Sequence, residues 1–160
     1  IGRAVAKIAL AMGMKVVARK RHTCAADEGV KLVDGLDELL AEADVITLHC
    51  DLNAGNAKMV NADFLSKVKK GAILINTARG GLVDEDAVAK ALGDGILSGY
   101  GADVLAEEPP RHGSPLIGLK NCIITPHVAW ASRDARARLL KAAKENIDAF
   151  IAGDPTNIVY

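Results

Sequence analysis

Three stretches of this 160-residue chain carry side chains able to do chemistry, each at a change in the polypeptide pattern. Arg79 stands in Asn76-Thr-Ala-Arg-Gly-Gly-Leu-Val-Asp-Glu85, after an apolar run and before a helix start. A guanidinium emerging there presents a planar fork that holds a carboxylate through two hydrogen bonds. A surface ion pair is the ordinary alternative. Asp103-Val-Leu-Ala-Glu-Glu-Pro-Pro110 puts acids at a second such boundary, and Thr125-Pro-His-Val-Ala-Trp-Ala-Ser132 puts His127 at a third. Taken singly, a lone His and a Glu before Pro have plain structural explanations.

The elements that must position these groups follow from periodicity and punctuation. Ile1, Val5, Ile8 and Met12 recur at helical spacing and Gly13 stops the run. Within it, Ile1-Gly2-Arg3-Ala4-Val5-Ala6 resembles the tail of a G-x-G-x-x-G fingerprint with Gly2 as the third glycine, where helix and strand pack closely and the helix N-terminus faces a pyrophosphate. Strands are expected at residues 14–18, 44–49, 72–77, 97–104 and 121–125. Helices are expected near 36–42, from a cap at Asn61 through Val68, from a cap at Asp84 to Gly93 or Gly95, and from Ser132 to a stop at Gly153 and Pro155. Leu139, Ala143, Ile147 and Phe150 share one face of the last helix. Strand alternating with helix predicts a parallel, doubly wound α/β sheet. Ligands of such sheets bind outside the carboxyl ends of the strands, which is where Arg79 falls.

Composition narrows the partners. Half of the residues are apolar but only 3% are aromatic, so the core is aliphatic, as suits a parallel sheet under Ala-rich helices. Twenty basic and twenty acidic residues cancel, which gives no reason to expect nucleic acid or an anionic membrane. No apolar run approaches the roughly 20 residues that cross a bilayer. Cys24, Cys50 and Cys122 are scattered without a CxxC, so neither a metal site nor a disulfide frame is expected, and reduced cytoplasmic thiols are.

In order along the chain, N-T-A-R-G-G-x-V-D-E, D-V-x-x-x-E-P-P and T-P-H-x-A-W-A-S resemble the signature set of the D-2-hydroxyacid dehydrogenases. The likeness extends to Leu48-His49-Cys50 and to the ending Ala152-Gly-Asp-Pro-Thr-Asn-Ile-Val159. The Glu-Glu-Pro-Pro-Arg-His-Gly-Ser-Pro-Leu loop and the surroundings of Trp130 are most similar to the glycerate dehydrogenase (hydroxypyruvate reductase) branch. The resemblance implies a Rossmann-type NAD(P)-binding domain over residues 1–152, with 153–160 leading back toward a separate substrate domain. It also implies hydride transfer between a nicotinamide cofactor and a small 2-keto or D-2-hydroxy acid, and a homodimer. His127 becomes the acid/base residue, Glu108, which directly precedes Pro109, its carboxylate partner, and Arg79 the substrate anchor. Asp103 matches a nicotinamide carboxamide contact, and Ile1, Gly2, Cys50, Thr77, Ala78 and Arg79 match other cofactor contacts. The chemistry is coherent: a keto acid takes hydride on carbon and a proton on oxygen, and a His titrating near neutral pH delivers that proton.

Two departures stand out. Where the family carries a ribose-binding acid, this chain reads Arg19-Lys20-Arg21, which favours a 2′-phosphate and hence NADP, or use of both cofactors. Asp51 replaces the Pro of L-H-C-P-L. The family's first strand and substrate domain would precede Ile1, so the chain alone is expected to be aggregation-prone and inactive. His49 is expected to line the cofactor cleft or to serve structure, His22 and His112 to be solvated, and Trp130 to shape a pocket, a dimer contact or simple packing. The competing function is a non-catalytic nucleotide-sensing regulator on the same fold. Retention of Arg79, Glu108 and His127 argues against it.

Overall fold

The computed structural model describes residues 1–19 and 27–159. The expectations for Lys20, Arg21, His22 and Cys24 lie outside the described residues. The elements run α1 (Gly2–Ala11), β1 (Val16–Arg19), β2 (Val30–Val33), α2 (Leu36–Glu42), β3 (Val45–Leu48), α3 (Ala62–Ser66), β4 (Ala72–Asn76), a 3-10 turn (Gly80–Leu82), α4 (Glu85–Gly93), β5 (Leu97–Ala102), β6 (Cys122–Ile124) and α5 (Arg133–Ile151). The chain forms two compact units, Ile1–Pro126 and His127–Tyr160.

Every ladder in the first unit is parallel, as the alternation of strand and helix requires. β1 pairs with β2, and β3-β4-β5-β6 form a second ladder. These are the two wings of a Rossmann order, and no described strand pairs with the outer edge of β1 or of β3. β2 was not expected. Val30-Lys31-Leu32-Val33 lies in a polar stretch, and its four residues are too few to show a period.

The caps behave as the side chains dictate. Asn61 accepts from the Phe64 amide at 3.1 Å, and Asp84 from Ala87 at 3.4 Å. α3 ends at Ser66, two residues short of the expected Val68. Burial on β4 alternates: Ala72, Leu74 and Asn76 face the core, while Ile73 is 38% exposed. Leu74 meets Leu40, Val60, Leu82, Val88 and Leu97 in one aliphatic cluster that anchors α3 and α4. A parallel sheet covered on both faces reads as continuous apolar runs; here Val45, Ile73 and Ile123 mark a less covered face. α1 contains no buried residue, and Ile8 and Met12 on its apolar stripe are exposed.

In the second unit, Ser132 caps α5 by accepting from the Ala135 amide at 3.2 Å. No α5 residue is buried, and Leu139, Ile147 and Phe150 of its apolar face are exposed. Among the described residues, no helix is long and apolar enough to cross a membrane.

Candidate functional site

The site is built on the turn that leaves β4. Asn76 is fully buried at the end of that strand. Its carboxamide oxygen accepts from the Ala78 amide at 3.0 Å and its NH2 donates to the Arg79 carbonyl at 3.0 Å. One side chain thus folds the backbone over itself and carries Thr77, Ala78 and Arg79 past the sheet edge. Neither Gly80 nor Gly81 has a positive φ, so the double glycine is a matter of space. A Cβ on Gly80 would lie 1.9 Å from the Leu105 carbonyl oxygen, and one on Gly81 would lie 2.8 Å from Leu52 Cδ2.

That turn forms one wall of a cleft of about 560 Å³, with Thr77, Ala78 and Arg79 on one side, His49, Cys50, Asp51 and Leu52 after β3, and Ile1 at the start of α1. α1 begins without a side-chain cap. Its start is held close to β3, since a Cβ on Gly2 would meet His49 Cβ at 3.3 Å. His49 Nε2 lies 3.0 Å from Thr47 Oγ1, and burial lowers the imidazole's pKa below its ordinary value, which favours the neutral ring. The Asp51 loop fastens itself. Asn56 Nδ2 donates to the Asp51 carbonyl at 2.6 Å, Asn56 Oδ1 accepts from the Asn53 amide at 2.7 Å, and Asn53 Oδ1 accepts from the Gly55 amide at 2.9 Å. Asp51 in place of Pro is therefore compatible with a defined loop.

The donor set fits a phosphate-bearing ligand. Arg79 brings a permanent cation, Thr77 a hydroxyl, and α1 the amides of an uncapped first turn next to Ile1. Arg79 is exposed and donates from Nη1 to the Ala78 carbonyl at 2.7 Å, leaving other donors of its fork to meet a ligand.

The end of β5 carries the acids. Asp103 is buried, and Thr125 Oγ1 donates to its Oδ1 at 2.5 Å, joining the ends of β5 and β6. Glu108 Oε1 accepts from the Leu105 amide at 2.9 Å. Glu107 instead faces His112, whose Nδ1 lies 3.0 Å from Glu107 Oε1. The two adjacent glutamates thus have different neighbours. Arg19, at the end of β1 on the other ladder, is exposed and donates to the Asp34 carbonyl at 3.3 Å. Lys20 lies outside the described residues.

His127 opens the second unit. Its φ of 53° is in the left-handed region, which a non-glycine residue adopts at a cost of roughly 1–2 kcal/mol. Such a conformation persists only where its surroundings hold it. Trp130 supplies part of that hold, since its indole N–H donates to the His127 carbonyl at 2.8 Å. Periodicity and motif spacing reveal neither this contact nor the work of Asn76. Only the Asn at a strand end, a turn-forming type, carried a signal.

Parallel ladders whose strand ends bring an arginine and a hydroxyl to a cleft beside an uncapped helix start define a nucleotide-binding α/β domain of the Rossmann type. The chain belongs to the D-isomer specific 2-hydroxyacid dehydrogenase family, whose NAD binding domain matches residues 1–129. It is 48% identical to a glycerate dehydrogenase of Methylorubrum extorquens, over 99% of this chain and 49% of that protein. It is 43% identical to a hydroxypyruvate reductase of Blautia hydrogenotrophica, over 99% of this chain and 50% of that one. An NAD-complexed D-isomer specific 2-hydroxyacid dehydrogenase of Lactobacillus delbrueckii superposes with a TM-score of 0.91 at 34% identity, covering all of this chain and 53% of that structure. The chain thus spans about half the length of the curated relatives it matches.

Proposed function

We propose that this chain is the cofactor-binding part of an NAD(P)-dependent D-2-hydroxyacid dehydrogenase that interconverts hydroxypyruvate and D-glycerate. The observation that carries the reading is the cleft in which Ile1, Cys50, Thr77 and Ala78 meet Arg79 beside the start of α1. A nicotinamide held in this cleft would supply or accept the hydride. Arg79 holds the substrate carboxylate and polarises the keto oxygen with its guanidinium. His127 gives the proton that the developing alkoxide needs, and takes it back in the oxidative direction. Glu108 orients that imidazole toward the reacting oxygen. Asp103 would hold the nicotinamide carboxamide. The choice of hydroxypyruvate rests on the named activities of the glycerate dehydrogenase and hydroxypyruvate reductase relatives.

The nucleotide-binding domain in this reading covers residues 1–152 and the intact enzyme is a cytoplasmic homodimer, while the chain alone is inactive. Arg19, with Lys20 and Arg21 after it, attracts a 2′-phosphate, so NADP is used alongside or in place of NAD. In the intact enzyme, His127→Ala is expected to lower kcat for hydroxypyruvate reduction by about 10²- to 10⁴-fold while dinucleotide affinity, read by fluorescence titration, stays unchanged. Undiminished turnover by that variant overturns the assignment. Comparing kcat/KM for NADH and NADPH tests the cofactor choice, and a strong preference for NADH removes the phosphate pocket.

A further inference from the structure

The loop between β5 and β6 carries Glu108 but contains no helix or strand of its own. Its shape is set largely from outside, by a residue the proposed chemistry does not use. Glu85 sits half-buried in the first turn of α4, a helix anchored by Val88, Ala91 and Leu92. Its Oε1 accepts from the Ala106 amide at 2.8 Å, and its Oε2 accepts from Ser114 Oγ at 2.7 Å. Two points of the loop, Ala106 and Ser114, are thereby tied to one carboxylate on a rigid support, with Glu108 between them. Ser114 passes the restraint on, because its hydroxyl oxygen accepts from the amide of the buried Leu116 at 3.3 Å. A helix-dipole role alone would need only one acid in the first turn, and the exposed Asp86 already supplies it.

We propose that Glu85 is a positioning residue of the dehydrogenase reaction: its two carboxylate oxygens fix the loop that presents Glu108. This rests on the role given to Glu108 under the proposed function. Glu85 touches neither substrate nor cofactor, and its effect on turnover runs through the placement of Glu108. Because a displacement of about 1 Å at a reacting group costs about 10²-fold in rate, freeing the loop lowers kcat and spares ground-state binding.

The test is steady-state kinetics on the intact enzyme with hydroxypyruvate. Glu85→Ala is expected to lower kcat by roughly 10- to 100-fold, with KM for substrate and cofactor within about threefold of wild type. Glu85→Gln is expected to restore most of the rate, since its amide oxygen accepts from Ala106 and its NH2 donates to the Ser114 oxygen. Glu85→Ala combined with Glu108→Gln is expected to be no slower than Glu108→Gln alone, because both changes disable one unit. Unchanged kcat in Glu85→Ala, or losses that add in the double variant, overturns the inference. So does a lowered melting temperature with unchanged kcat for the folded enzyme, which would make Glu85 merely structural. Full activity of Glu108→Gln sinks the reading of Glu108 itself, whereas an impaired Glu108→Gln beside an unimpaired Glu85→Ala sinks only the present inference. Should Glu85→Ala fail to fold, Ser114→Ala removes one of the two ties and is expected to lower kcat severalfold, and wild-type kcat in that variant also overturns it.

Discussion

Replacing Gly80 by alanine adds one methyl group at the closest packing point of the site. The new Cβ would stand 1.9 Å from the Leu105 oxygen, 2.0 Å from the Leu105 carbonyl carbon and 2.5 Å from the Ala106 nitrogen. Ordinary carbon contacts are about 3.5–4.0 Å, so the shortfall is roughly 1.5 Å. All three atoms are backbone, and no rotamer change relieves the overlap. Leu105 and Ala106 are held through their amides by Glu108 and Glu85. Either the Arg79 turn or the Glu108 loop must therefore move by about 1 Å, with an overpacking cost of about 2–3 kcal/mol. In the proposed enzyme the same movement lowers kcat by about 10²-fold. Chemical denaturation of the purified variant reads the first quantity and steady-state turnover the second. Gly81→Ala is the internal control: its Cβ would meet only the end of the Leu52 side chain at 2.8 Å, and a rotation there holds the cost below about 1 kcal/mol. A Gly80→Ala variant with the wild-type denaturation midpoint and the wild-type kcat would refute the close approach and the reasoning built on it.

Gly93→Ala should do the opposite. Gly93 is exposed at the end of α4 with no atom near its would-be Cβ and no positive φ, so alanine is expected to raise stability by about 0.4–1 kcal/mol in a denaturant titration. Tyr100 makes stability depend on alkaline pH. Burial pushes its phenol up to about 12, against the downward pull of a hydrogen bond with Asn76, whereas an unfolded tyrosine titrates near 10. A raised folded pKa means that this contribution is complete below pH 10 and lost as pH climbs to about 12. The wild type should therefore lose roughly 2–3 kcal/mol more than Tyr100→Phe across that window, and parallel pH profiles would contradict it.

How much was legible depended on the range over which each feature is encoded. The caps Asn61, Asp84 and Ser132 act within three residues of themselves, and each makes the hydrogen bond its type suggested. β4 and β5 announced themselves as β-branched or small-residue runs ending at polar residues. β2 did not, because four residues flanked by charge have no readable period and its pairing with β1 is a long-range fact. The apolar stripe on α5 was legible as a stripe, but that its residues are exposed was not, since periodicity says which side is apolar and nothing about what covers it. At the site, the motifs pointed to Arg79, and the structure adds why it can stand there: Asn76 bends the chain and Gly80 admits a neighbouring loop. Glu85 lies in the first turn of α4, where an acid suits the helix start on local grounds alone. Its bonds to Ala106 and Ser114 span more than twenty residues, beyond any local pattern. The left-handed backbone of His127 leaves no mark in composition at all.

The loop after β3 is fastened by its own asparagines, Asn53 and Asn56, and not by the strands that flank it. Such a segment behaves as a cassette. It can be exchanged for another of similar span without disturbing strand register, since among the described residues no hydrogen bond joins residues 51–56 to a strand. Variation that retunes what the cleft accepts therefore has an inexpensive place to accumulate, and a chimaera carrying a relative's version of residues 51–56 is the natural unit for redesign.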